Sequence, residues 1–124
     1  MGRLLDHIDL RVRNRAIATV FYDPIFRALG AEKSEKGEYT TWRIAEAGGP
    51  ASDDFGIVEE TDMLPGSVRI ALRAPSREVV DAIARILPSI GARDVEMDDG
   101  IYGDMFYGVF FADPDGNRLE VCVQ

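Results

Sequence analysis

The stretch His7-Ile8-Asp9-Leu10-Arg11-Val12 returns 62 residues later as Arg69-Ile70-Ala71-Leu72-Arg73-Ala74. In both copies apolar residues alternate with polar or small ones, the two-residue period of a strand that buries one face. A second pair, Leu29-Gly30-Ala31-Glu32 and Ile90-Gly91-Ala92-Arg93, recurs at an offset of 61. Two matches at nearly one offset, half the length of the 124-residue chain, point to a duplicated unit. Each copy reads as a strand, then a helix ending at glycine, then more strands. Duplicated units commonly meet at a cleft, and clefts are where ligands bind.

Working outward from the first copy, a helix is expected from about Arg15, with Ile17, Val20 and Phe21 on its buried stripe. Pro24 removes a backbone donor and crowds the preceding turn. Asp23-Pro24 is instead a good restart, with Asp as N-cap and Pro at the first helical position. The expectation is a helix broken at Asp23, resuming to Leu29 and closed by Gly30. Residues 38–45 and 54–60 read as strands, separated by a loop over Ala47–Asp54. Residues 61–67, with Pro65-Gly66, connect the copies.

In the second copy a strand covers 68–74, and Ser76 caps a helix whose apolar stripe is Val79, Val80, Ile83, Ile86, Leu87 and Ile90. Pro88 should bend or end that helix, and Gly91 closes it. Val95–Met97 reads as a short strand and Asp98-Asp99-Gly100 as a turn. Strands 107–112 and 118–123 are joined by Asp113-Pro114-Asp115-Gly116-Asn117, a dense turn signal whose role reads as structural. The order is βαβββ twice: an α+β fold of paired modules, with helices on one face of the sheet. We expect one domain over 1–124, with module 1 about 4–62 and module 2 about 67–124. Each module alone exposes much apolar surface, so the two should pack together or on another chain, and a homodimer is expected.

Composition narrows the function classes. Hydrophobic content of 46% and charged content of 29% suit a globular chain. No apolar run approaches the roughly 20 residues of a membrane helix, and no signal peptide is expected at the N-terminus. The single cysteine, Cys122, rules out an internal disulfide framework and fits a reducing, cytoplasmic setting. A formal charge of −8 argues against nucleic acid as partner. It does not argue against an anionic small molecule, because a local basic patch can sit inside an acidic protein.

Strand 7–12, Phe21-Tyr22-Asp23-Pro24, Ala28-Leu29-Gly30-Ala31, Arg69-Ile70-Ala71-Leu72 and Gly108 through Glu120 together resemble the vicinal oxygen chelate superfamily. That group contains glyoxalase I, extradiol dioxygenases and the bleomycin and fosfomycin resistance proteins. The Asp-Pro-Asp-Gly-Asn-Arg-Leu-Glu run is the most specific part, and the likeness covers nearly the whole chain. The resemblance implies a cup formed by the two modules, with metal ligands on the first and last strands of each. At the matching positions stand His7 and Glu120, both ligand types, but also Arg69 where a His is usual. The fourth position falls around Gly56, with no carboxylate until Glu59.

His7 and Glu120 are thus the candidate metal ligands, and two fall short of the three protein donors a zinc or non-heme iron site uses. Arg69 has no lone pair to give, so no tightly held divalent metal is expected as cofactor. Strand phase places His7, Arg69 and Glu120 on polar faces. Arg69 either forks onto a ligand carboxylate or phosphate or pairs internally with Glu120. Arg11 and Arg73 share these faces and would add to a positive cavity. As catalytic candidates Glu120 is the general base and His7 its orienting or acid–base partner. Arg69, Tyr102, Tyr107 and Trp42 are the candidate substrate contacts. Cys122 on the same face reads as a passive thiol.

The function expected from the resemblance is a glyoxalase-like protein holding a small polar or anionic molecule, with a lyase, isomerase or dioxygenase-type step if it is an enzyme. The alternative is a non-catalytic protein that sequesters a small molecule, as drug-resistance proteins do.

Overall fold

The computed structural model describes residues 4–45, 51–98, 100 and 103–124, which fall into two compact units, Met1–Met63 and Leu64–Gln124. Unit 1 contains β1 (His7–Val12), α1 (Arg15–Ala28), β2 (Glu32–Lys36), β3 (Tyr39–Ala45) and β4 (Ala51–Glu59). Unit 2 contains β5 (Arg69–Arg73), α2 (Arg77–Ile86), β6 (Arg93–Met97), β7 (Tyr107–Ala112) and β8 (Arg118–Val123). The sheets have the same topology, β1-β4-β3-β2 and β5-β8-β7-β6. In each, the first and last strands pair in parallel and the other neighbours antiparallel. The fold is the expected α+β pair of βαβββ units. His7 faces Asp54 and Arg69 faces Arg118 across matching parallel ladders, so the two open their strands at equivalent places.

Helix α1 runs unbroken through Pro24, contrary to the expected break at Asp23. The carbonyl that Pro24 leaves without its helical donor belongs to Val20, an exposed residue on the solvent side of the helix. Asp23 does not cap a helix. Its carboxylate accepts from Arg27 Nε and, at 3.0 Å, from Trp42 Nε1 on β3. The true N-cap is Asn14, whose side chain accepts from the Ile17 amide at 2.9 Å.

The buried face of α1 also differs from the expected stripe. Ala18, Phe21, Tyr22, Ile25 and Phe26 are buried, while Ile17 and Val20 are exposed. The aromatic residues decide the roll of the helix, because ring burial outweighs that of two aliphatic side chains. Phe26 stacks on Trp42 with centroids 5.0 Å apart, and Tyr22 and Phe26 both lean on Phe55.

Strand β2, Glu-Lys-Ser-Glu-Lys, carries no apolar residue and is exposed throughout. Only its backbone ladder to β3 makes it a strand, and its charges suit a sheet edge. Strand β4 begins at Ala51, inside the stretch read as loop. Arg15 braces this sheet: its guanidinium donates to Thr40 Oγ1 and to the carbonyls of Gly37 and Tyr39, each at 2.8 Å. Its backbone N–H donates to Glu59 Oε1, so this carboxylate at the end of β4 tethers the start of α1.

In unit 2, Ser76 caps α2 as expected, its Oγ accepting from the Val79 amide. Pro88 sits in a 3-10 turn, Leu87–Ile90, that ends at Gly91 with φ 93°. Val80, Ile83 and Leu87 pack against Val109, Leu119 and Val121 of the sheet, all fully buried. Asp113 holds the turn between β7 and β8. It is 1% exposed, and its Oδ1 accepts from the amides of Asp115 and Asn117 while Oδ2 accepts from Asn117 Nδ2. No described helix is long and apolar enough to cross a membrane.

Candidate functional site

Alternation along β8 sends Leu119, Val121 and Val123 toward α2 and leaves Arg118, Glu120 and Cys122 on the opposite face. Register then builds that face as rows across the sheet. Arg69 lies opposite Arg118, and Arg118 opposite Ala112. Two residues further along the strands, Ala71, Glu120, Phe110 and Glu96 form the next row. Beyond it stand Arg73, Cys122 and Gly108, where the Asp98 amide donates to the Gly108 carbonyl at 2.9 Å.

Glu96 reaches its row through a bulge. Arg93 pairs with Ala112 but Glu96 pairs with Phe110, so β6 carries one extra residue between them. Asp94 absorbs it at φ 54°, the left-handed region. Were the same residues paired regularly from Arg93, Val95 would face Phe110 and Glu96 would point to the helix side.

These rows border a cavity of about 450 Å³ in unit 2. Arg69, Arg118, Phe110, Glu120, Glu96, Asp94 and Asp98 all contribute to its lining. The Arg69 guanidinium lies 4.9 Å from the centroid of the Phe110 ring. Of the two roles open to Arg69, the internal pair with Glu120 is not formed, and Arg69 has no carboxylate partner among the described residues. Nor is the cavity simply positive, as the sequence suggested. Two arginines stand against four carboxylates: Arg69 and Arg118 share one row, Glu96 and Glu120 the next, with Asp94 in the bulge between the rows and Asp98 beyond them.

Glu120 is half-buried, two residues from Cys122 on the same face of β8. Burial, then the neighbouring Glu120 charge, pushes that thiol above its ordinary range, with Arg73 opposing. Cys122 is therefore held as a thiol rather than a reactive thiolate. Among the described side chains one buried polar atom lacks a hydrogen-bond partner, Oδ1 of Asp98, at the cavity wall.

The structure corrects two of the expected substrate contacts. Trp42 is 1% exposed in the core of unit 1, on the side of its sheet that faces α1. Tyr107 lies on the α2 side of its sheet, where its hydroxyl donates to Asp81 at 2.5 Å beneath the Arg77 guanidinium. Strand alternation decides both: each ring stands one residue out of phase with the polar face. Tyr102 lies outside the described residues. Sequence reading missed Arg118, Phe110, Glu96, Asp94 and Asp98. Arg118 and Phe110 were accessible through phase alone, but Glu96 was hidden by the bulge.

His7 sits on the polar face of unit 1, exposed. Its Nδ1 is 2.8 Å from Asp6 Oδ1 and its Nε2 3.7 Å from Asp9 Oδ2. The hydrogen bond to Asp6, then the charge of Asp9, raises its pKa. Next in the sheet, Arg43 grips both oxygens of Asp54 in a fork that holds this carboxyl below its usual range.

A metal of the kind the fold implies does not fit these residues. Register makes Arg69 the equivalent of His7, and Gly56 the equivalent of Glu120. A Cβ on Gly56 would meet Thr41 Cγ2 at 3.3 Å and Asp9 Oδ1 at 3.4 Å, so the position has little room for a longer side chain. Of four equivalent positions, one offers a permanent cation and one nothing. No group of three or more metal-ligating side chains forms among the described residues.

Two βαβββ units, repeated with the same strand order and the same helix placement, define the class. The same fold is found in solved structures of glyoxalase/bleomycin resistance proteins. The chain is similar over 98% of its length to all of a glyoxalase/bleomycin resistance protein from Albidiferax ferrireducens, with TM-score 0.81 and 23% identity. It is also similar to the fosfomycin resistance protein FosX from Mesorhizobium loti, with TM-score 0.71, 16% identity and coverage of 100% of this chain and 94% of that one. A glyoxalase/bleomycin resistance protein/dioxygenase family enzyme from Burkholderia phytofirmans matches at TM-score 0.66 and 14% identity, over 94% and 95% of the two chains. No protein-family model and no curated protein sequence matches the chain.

Proposed function

We propose that the protein binds a small polar molecule bearing an anionic group in the cavity of unit 2, with Arg69 and Arg118 receiving the anion. The observation that carries this reading is the Arg69 guanidinium, set against Phe110 on the cavity wall with no carboxylate neutralising it among the described residues. A guanidinium placed over the face of an aromatic ring keeps N–H groups available for a carboxylate or phosphate. The cavity volume suits a small ligand.

Glu120, one row along from the arginines, is the proposed general base. A ligand anchored by its anionic group would place the adjacent carbon or hydroxyl near this carboxylate. Arg69 would then stabilise negative charge that develops as the proton leaves. The chemistry so supported is proton transfer, as in an isomerase or lyase step, on a glyoxalase-like fold.

The test is thermal denaturation and calorimetry of the full chain with small carboxylates and phosphates at constant ionic strength. Stabilisation by these anions that is lost in Arg69→Met supports the reading. Absence of any anion effect in the wild type overturns it.

A further inference from the structure

The charge order of the cavity says more than that an anion binds. Arg69 and Arg118 form a cationic row, and Glu120 and Glu96 form an acidic row two residues further along the same strands. Asp98 follows beyond them, with its Oδ1 buried at the wall and without a donor. Ligands that are only anionic would gain from the first row and be repelled by the second. The buried acceptor on Asp98 also asks for a donor that such ligands lack. The bulge at Asp94 reinforces the point. It holds a non-glycine residue at φ 54°, and the result is that Glu96 joins Glu120 on the cavity face.

Resting on the reading above, we propose that the ligand is a small zwitterion. Its carboxylate or phosphonate would lie on Arg69 and Arg118, and its ammonium group on Glu96 and Glu120, with Asp98 as a further acceptor. Two residues along a strand span about 6.6 Å, so the two charges of the ligand should be separated by a few carbon atoms. Phe110 stands between the acidic residues and under Arg69, offering an apolar floor to the carbons that join the charges.

The experiment uses the full chain and a ruler of ω-amino carboxylates from glycine to 6-aminohexanoate. Butyrate and butylamine are the single-charge controls, and binding is read by calorimetry. The expected result is one preferred chain length, bound at least tenfold more tightly than butyrate. Glu96→Gln and Glu120→Gln should each lower zwitterion affinity toward that of butyrate while leaving butyrate binding unchanged or stronger. Arg69→Met should weaken both. Circular dichroism of each variant checks that the fold is intact, and Glu96, on an exposed strand, provides the variant least able to disturb it. Butyrate binding as tightly as every member of the ruler would overturn the zwitterion and leave the anion site standing. Butylamine as the only binder would overturn both readings, as would binding by none of the probes.

Discussion

Glu96 pairs with Phe110 one place out of step with the pairing of Arg93 and Ala112, and the residue that absorbs the difference is Asp94 at φ 54°. Left-handed backbone costs a non-glycine residue roughly 1–2 kcal/mol, less for Asp than for most. Asp94→Gly should therefore leave stability unchanged or raise it by up to about 1 kcal/mol, whereas Asp94→Val should lower it by about 1–2 kcal/mol or more. Urea denaturation checks both. Deleting Asp94 should restore regular pairing with Val95 opposite Phe111 and Glu96 still opposite Phe110, so ligand binding should survive the deletion.

The buried Asp113 carboxylate organises its turn through three hydrogen bonds. Asp113→Ala leaves those donors without their acceptor in a buried place, at about 1–3 kcal/mol for each unsatisfied group. The expected loss in chemical denaturation is about 3 kcal/mol, large enough to lower the yield of folded protein. Asp113→Asn retains one acceptor oxygen and should fall between this variant and the wild type.

His7 is the only histidine, so its titration can be followed without assignment by proton NMR. Its pKa should lie above the usual 6.5, and Asp6→Asn should lower it, because the Asp6 hydrogen bond is the largest cause of the shift. A raised folded pKa means that the contribution to stability is complete below pH 6.5 and is lost as pH rises through the folded value. The site is exposed, so added salt should shrink the shift. Asp54 behaves oppositely. Arg43 depresses its pKa, and that contribution is present above 3.8 and lost as pH falls through the depressed value. Arg43→Met should remove it.

Trp42, the single tryptophan, should emit at short wavelength from its buried place and shift to the red on unfolding. Trp42→Phe removes the indole N–H that Asp23 accepts and leaves a small void beside Phe26. A loss of about 1–3 kcal/mol is expected in denaturant titration. Asp23→Ala should reproduce part of it, and the double variant should cost less than the sum of the two.

The sequence by itself determined that a strand–helix–strands unit is duplicated, because strand alternation and glycine-closed helices are local patterns that survive in each copy. It also determined which strands carry His7, Arg69 and Glu120 and that these residues belong to polar faces, since a period of two leaves no freedom once a face is buried. Tertiary structure decided the rest. Pairing made a strand of Glu32–Lys36, which carries no apolar signal. The packing of Tyr22, Phe26, Trp42 and Phe55 set the roll of α1 and buried a tryptophan that had read as a ligand contact. A single bulged residue brought Glu96 onto the face of Glu120. Each of these depends on what a neighbouring strand or helix presents. That information is absent from any local stretch of the chain and appears only when the backbone groups and side chains of distant segments must be satisfied together.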